Sequence, residues 1–286
     1  MNMTLTPNNH LTRVERVQSY IANHLDEDLD FDQLADIAAM SPYHWHRIYR
    51  SICGETATQT VRRMRMHRAA VELIRTSTDV NGIAKRAGYS SVEAFSRAFG
   101  SSYGEPPASY RRRATPPADS GLNWAPDAEA YPVRIENKPQ YRMLSARHLG
   151  DYMLVGQAFE KVMAYVFANG LLFGAPQMVG IYHKDPGTND LDLLETDAGI
   201  ILENGPDVPA DTGLSYVMTP GGRQAILTFK GPYAELEQAY CWLFGQWLPE
   251  SGEEAADDPV SEYYLNDPKS VPASELLTEI RLTLKG

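Results

Sequence analysis

Apolar positions along the first 113 residues recur at helical spacing. Val14, Val17, Tyr20, Ile21 and Leu25 line one face of a first amphipathic helix. Leu34, Ile37 and Ala38 line a second, with Asp30 or Asp32 placed to cap it. Ser41-Pro42 is an N-cap followed by proline at the first helical position, which starts a third helix that runs to about Cys53 and stops at Gly54. Val61, Met64, Ala69, Leu73 and Ile74 predict a long fourth helix over about Thr56 to Arg75. A fifth begins near Val80, the chain turns at Gly88-Tyr89-Ser90, and a sixth runs to about Tyr103. Pro106-Pro107 opens a last short helix that includes Tyr110.

Two stretches of this pattern repeat about 50 residues apart. Ala35-Asp36-Ile37-Ala38-Ala39-Met40-Ser41-Pro42, then Trp45 to Tyr49 and Gly54-Glu55, parallels Ala84 to Ser91, then Phe95 to Phe99 and Gly104-Glu105. Each copy reads as helix, tight turn and second helix, and two helix-turn-helix units in tandem imply a protein that reads DNA. A connecting helix of about 20 residues is about 30 Å long. Successive major-groove faces on one side of B-DNA are about 34 Å apart, so one rigid helix can place both second helices in adjacent grooves with modest bending.

Side chains three and four apart share a helix face. Tyr43, His46, Arg47 and Arg50 make one polar face on the first recognition helix; Val92, Glu93, Ser96 and Arg97 make the other. Arginine suits a bidentate contact to guanine, and valine a thymine methyl. Arg62, Arg63, Arg65, Arg111, Arg112 and Arg113 are candidates for the phosphate backbone. Tyr49, Phe95, Phe99 and Tyr110 are expected in the core.

Periodicity is lost over 114–130, which is rich in Pro, Ala and Asp and predicts a linker. Beyond it the pattern alternates as in strands, and it repeats at a spacing of about 82 residues. Arg142 to Tyr152 parallels Arg223 to Tyr233, each a strand ending in a Gly-x-Tyr turn before an amphipathic helix. Ile181 to Pro186 parallels Tyr263 to Pro268, and Thr196 to Leu202 parallels Thr278 to Leu284. The expected architecture is an all-α domain at about 10–113, then an α+β domain at 131–286 built of two pseudo-symmetric strand-helix-strand-strand units with helices backing the sheet. The groove between the units is the natural ligand site.

Charge and cysteines refine this picture. A net charge of -11 over 286 residues argues against DNA binding until it is divided. Up to Arg113 there are 15 Lys/Arg against 12 Asp/Glu, and beyond it 11 against 25. Such asymmetry assigns nucleic-acid contact to the first part. Cys53 and Cys241 have no metal or disulfide spacing and read as buried thiols in a reducing cytoplasm. No signal peptide, membrane span, metal motif or cofactor motif stands out, so no cofactor and no membrane partner is expected.

One carboxylate is out of place. Where the first unit has Gly180 the second has Glu262, on a strand face shared with Val260 and Tyr264. A carboxylate on an apolar, aromatic face is costly unless paired. If it lines the groove it selects a cation, with Tyr152, Tyr182, Tyr233, Trp242 and Tyr264 as aromatic walls. Asp197 and Glu279 occupy equivalent places in the two units and read as architectural.

The run Ala87-Gly88-Tyr89, Phe95-Ser96-Arg97-Ala98-Phe99, Tyr103-Gly104 and Pro106-Pro107-Ala108-Ser109-Tyr110-Arg111 resembles the signature of AraC/XylS transcription regulators. The resemblance covers about Val14 to Arg113 and implies a seven-helix DNA-binding domain acting with RNA polymerase at a promoter. Most relatives carry this domain last; here it comes first. From about Tyr131 to Lys285 the chain resembles GyrI-like effector-binding domains, through Gly180-Ile181-Tyr182-His183 with Asp185-Pro186 and Glu262-Tyr263-Tyr264 with Asp267-Pro268. That resemblance implies an amphipathic, often cationic, small molecule held by aromatics and a buried glutamate. The expected function is therefore regulated binding of double-stranded DNA rather than catalysis. The alternatives are a GyrI-like hydrolase with Glu262 as general base, and a protein-interaction inhibitor module using the acidic half.

Overall fold

The computed structural model describes residues 8–115, 131–172, 174–184 and 194–286. The predicted linker lies almost wholly outside these residues, as do Asp185 and Pro186. Seven helices occupy the first described stretch: α1 (Asn8–Asn23), α2 (Phe31–Ile37), α3 (Pro42–Cys53), α4 (Ala57–Arg75), α5 (Val80–Arg86), α6 (Val92–Tyr103) and α7 (Pro107–Ala114). Ala114 ends α7 and is fully buried, so the helical part extends one residue into the segment expected to be linker.

Local chemistry sets these boundaries. The Asp30 carboxylate accepts from Asp32 N–H ahead of α2. Thr56 and Gln59 form a reciprocal capping box at the start of α4. The Asp79 and Ser91 side chains accept from Gly82 N–H and Ala94 N–H ahead of α5 and α6. Gly54 and Gly104 end α3 and α6 at φ 74° and 81°, a left-handed conformation that glycine adopts without a Cβ penalty.

The helical part has two cores, one per helix-turn-helix. Val17, Ile21, Leu34, Trp45, Tyr49 and Val61 belong to the first; Leu73, Ile83, Phe95, Phe99, Tyr103 and Tyr110 belong to the second. Helix α4 contributes to both, with Val61 in one and Met66, Ala69, Ala70 and Leu73 in the other.

The rest of the chain forms one antiparallel eight-stranded sheet with helices on one face. Its strands are β1 (Val133–Lys138), β2 (Arg142–Leu149), β3 (Met178–Tyr182), β4 (Glu195–Ile201), β5 (Leu214–Met218), β6 (Gly222–Lys230), β7 (Val260–Tyr264) and β8 (Leu277–Thr283). They run in the order β1-β6-β8-β7-β3-β4-β2-β5. Two strands missed by the sequence pattern, β1 and β5, occupy the edges. Each pairs with a strand distant in the sequence: β1, which precedes the first repeat, with β6 of the second, and β5, which precedes the second repeat, with β2 of the first. Neither strand has a fully buried face: every residue of β1 and all but Leu214 of β5 are half-buried or exposed. Helix α8 (Gly156–Ala168) follows β2, and α9 (Leu236–Trp242) follows β6. A π-helical stretch, Leu243 to Trp247, joins α9 to α10 (Leu248–Ser251).

The two parts pack against each other. Helices α1 and α3 contact α8, α4 contacts the turn Tyr233–Glu235, and α6 contacts the turn Ala273–Glu275.

Candidate functional site

On α3, His46, Arg47 and Arg50 are exposed while Trp45 and Tyr49 are each 1 % exposed. The Tyr43 side chain lies outside what the structure describes. On α6, Glu93 and Arg97 are exposed, Val92 and Ser96 are half-buried, and Phe95 and Phe99 are fully buried. Both polar faces thus point away from their cores. The Glu93 carboxylate accepts from its own backbone N–H and from the Ser91 hydroxyl, which holds its pKa below the ordinary value, with Arg97 adding a smaller pull.

Four of the six arginines expected at phosphates bond acceptors within the chain instead. Arg63 pairs with Glu55 at 2.6 Å and with Glu160 on α8 at 3.4 Å. Arg65 donates to Leu25 O and Glu27 O and lies against Gly88. Arg111 donates to Leu73 O and Thr78 O. Arg113 makes a bidentate pair with Glu235 and also holds Glu105. Each guanidinium satisfies acceptors that folding brings near it, which single-sequence charge counting misses. Arg62 and Arg112 remain exposed.

The second site is built around Glu262, which is 4 % exposed in the middle of the sheet. Strand β7 pairs with β3 so that Glu262 sits directly opposite Gly180. A Cβ at Gly180 would lie 2.8 Å from the Tyr182 ring, so the missing side chain lets that ring fold over the strand. Tyr264 Oη donates to Glu262 Oε2 and Tyr240 Oη to Oε1, both at 2.7 Å. Tyr182 Oη is 2.6 Å from Tyr264 Oη. Since Tyr264 gives its proton to the carboxylate, Tyr182 is the donor in that pair. Burial pushes the Glu262 carboxyl above its ordinary value, and the hydroxyls of Tyr264, Tyr240 and Tyr182 pull it part-way back; no cation contributes.

Aromatic rings enclose this group. Tyr233 and Phe159 meet the Tyr264 ring edge-on at 5.4 and 5.3 Å, and Tyr152 meets Tyr182 at 4.9 Å. Tyr152, Tyr182, Tyr233 and Tyr264 are therefore brought together around Glu262. Trp242 is not: it is 5 % exposed, belongs to the core with Ala225, Leu227 and Ile280, and packs on Tyr131. Tyr240 stands there instead, with its hydroxyl on Glu262 Oε1. The task of its hydroxyl is visible only once folding brings α9 to β7.

Asp197 and Glu279 lie on the opposite sheet face. Asp197 pairs with Arg147 and His183, and Glu279 with Arg134 and Arg281. A separate cavity of about 260 Å³ opens between α1, β2 and α8, lined by Glu15, Gln18, Arg147, His148 and Lys161, and does not include Glu262. Among the described residues no cluster of His, Cys, Asp or Glu could hold a metal ion, and no helix is long and apolar enough to cross a membrane.

The family model of the GyrI-like small molecule binding domain matches residues 131–285. The chain belongs to that family. A helix-turn-helix domain model matches residues 34–113, which makes this an AraC-type DNA-binding regulator carrying a GyrI-like small-molecule binding domain. The chain is 24% identical over 249 residues to the right origin-binding protein of Escherichia coli, covering 80% of this chain and 82% of the relative. It is 31% identical over 104 residues to the regulatory protein SoxS of Salmonella typhimurium, covering 36% of this chain and 97% of the relative. Among solved structures, the C-terminal domain of EcmrR aligns with a TM-score of 0.45 at 16% identity, over 55% of this chain and 98% of that one.

Proposed function

We propose that this regulator reads an asymmetric DNA site with α3 and α6 and is controlled by a small organic cation bound at Glu262. The observation that carries the effector class is the Glu262 carboxylate: buried, held by neutral tyrosine hydroxyls, and without a cationic partner among the described residues. A cation with aromatic or apolar bulk would take the hydroxyls' place on the carboxylate and gain cation–π attraction from Tyr152, Tyr182, Tyr233 and Tyr264. The order of strands outward from β7 and β3, and the contact between Tyr182 and Tyr264, support two pseudo-symmetric units with the site at their junction.

On the DNA side, Tyr43, His46, Arg47, Arg50, Val92, Glu93, Ser96 and Arg97 are the proposed reading residues. The 19 residues of α4 span about 28 Å, close to the distance between adjacent major-groove faces. RNA polymerase is the proposed downstream partner, in the cytoplasm.

Titration calorimetry with an aromatic cation and its uncharged isostere tests the effector class. The cation is expected to bind and the isostere to bind at least about 10-fold more weakly, with Glu262→Gln erasing the difference, as losing an uncompensated charge contact of about 1.4 kcal/mol or more requires. Equal binding of both compounds to the unaltered chain overturns the assignment.

A further inference from the structure

The walls of the Glu262 site are also the surfaces on which the helical part docks. On one side stands α8, which supplies Phe159; its Glu160 pairs with Arg63 of α4 at 3.4 Å, and α1 and α3 lie against it. On the other side stands the segment from Tyr233 through α9, which supplies Tyr233 and Tyr240. Within that segment Glu235 holds Arg113 through two bonds of 2.9 Å, Glu237 pairs with Arg75 of α4 at 3.1 Å, and Gln238 donates to Ala114 O. Tyr233 and Tyr240, which face the site, thus flank four residues that face the helical part.

Helix α4 therefore grips both walls. Arg63 near its start is tied to α8, and Arg75 at its end is tied to α9; twelve residues at 1.5 Å each place the two anchors about 18 Å apart. Between them α4 packs on the turn Tyr233–Glu235. The two Gly-x-Tyr turns that open the walls, Gly150 to Tyr152 and Gly231 to Tyr233, each carry a residue within electrostatic reach of α4. Arg63 is close enough to act on the Tyr233 hydroxyl, and Asp151 on the His67 imidazole. Burial, with Arg63 beside it, lowers the His67 pKa to about 4, so this imidazole of α4 is neutral. Further out, Lys269 donates to Cys53 O at the end of α3, and Ala234 and Ala273 pack into the second helical core.

We propose that the DNA-binding part is the lid of its own effector site: α4 lies across the groove from α8 to α9, and a cation reaches Glu262 only when the helical part lifts away. Binding at Glu262 and docking of the DNA-binding part are then mutually exclusive, and the effector frees the helix-turn-helix units from the sheet. The apparent affinity for the cation is the intrinsic affinity reduced by the fraction of chains that are open. The proposal rests on the cationic-effector assignment above.

The test uses the full chain and thioflavin T, an aromatic cation whose fluorescence rises when it is held rigidly. The docking variant is Glu237→Lys with Lys269→Glu, which reverses two exposed charges on the sheet side and touches neither the carboxylate nor its tyrosines. Stopped-flow association and equilibrium titration are measured for the unaltered chain, the docking variant, and each with Glu262→Gln. The expected result is Glu262-dependent binding that is roughly 3- to 10-fold faster and tighter in the docking variant, as a larger open fraction requires. Glu262-dependent binding with the same rate and affinity in both chains overturns the lid and leaves the cationic site standing. Absence of Glu262-dependent binding in both overturns the cationic site and the lid with it. Circular dichroism of the docking variant checks that it is folded, and Arg75→Ala repeats the comparison from the helical side.

Discussion

Burial moves the Glu262 carboxyl above the ordinary 4.5 while the hydroxyls of Tyr264, Tyr240 and Tyr182 act against that shift. The folded chain therefore keeps this proton at a pH where the unfolded chain has lost it. The contribution to stability is complete below about 4.5 and is lost as pH rises through the folded value. Glu262→Gln should flatten the fall in Tm as pH rises above the ordinary carboxyl value and raise Tm at the upper end, a difference that thermal denaturation of the two chains across pH will read. Tyr240→Phe works in the opposite direction. It leaves Oε1 without its 2.7 Å donor, and urea denaturation should show a loss of about 1–3 kcal/mol at neutral pH.

Among the elements, the helix-turn-helix units depend on one turn glycine as much as on their cores. Gly88 has a φ of 84° and its missing side chain makes room for Arg65, which would stand 2.6 Å from a Cβ there. Arg65 in turn holds Leu25 O and Glu27 O, so the turn of the second unit is tied to the loop after α1 in the first. Gly88→Ala should cost about 1–2 kcal/mol for the left-handed backbone alone, and lower Tm by several degrees in a calorimetric scan. The recognition helices carry a different expectation. Arg47→Ala and Arg97→Ala should each weaken a specific site by about 1–3 kcal/mol and relax base preference there, measured by competition between site variants. A loss spread evenly over all sequences would move these arginines to the phosphate backbone.

At the scale of the whole chain, a part with three more basic than acidic residues is held against a part with fourteen more acidic than basic ones. Much of that opposition is local pairing: Arg63 with Glu160, Arg75 with Glu237, and Arg113 with Glu235. The last is the strongest tie, because Glu235 is 5 % exposed and receives both ends of the guanidinium. Arg113→Ala should destabilise the docked arrangement by about 1–3 kcal/mol, less than for a fully buried pair because solvent reaches the outer side of Arg113. Hydrogen exchange along 233–238 should rise in that variant while β3 and β7 stay protected.

Much of this organisation was legible in the amino-acid sequence. Helix boundaries at Pro42, Val80 and Val92 follow from caps and periodicity, since both depend on residues within one or two turns. The contrast between Gly180 and Glu262 was visible because the chain repeats itself, and the strands then bring those two residues opposite each other. What could not be read there depends on contacts between residues far apart in the chain. Edge strands β1 and β5 became strands by pairing with strands of the more distant sequence repeat, β6 and β2. Tyr240 rather than Trp242 reaches the carboxylate, because the packing of α9 on the sheet sends the Trp242 ring into the core. Arg63, Arg65, Arg111 and Arg113 left the DNA-facing set because carbonyls and carboxylates up to 122 residues away lie within reach of their guanidinium groups. Local sequence determined the elements and the chemistry they carry. Tertiary structure decided which charges are satisfied within the chain and which remain for a ligand, because hydrogen bonds of a few ångströms depend on how elements pack.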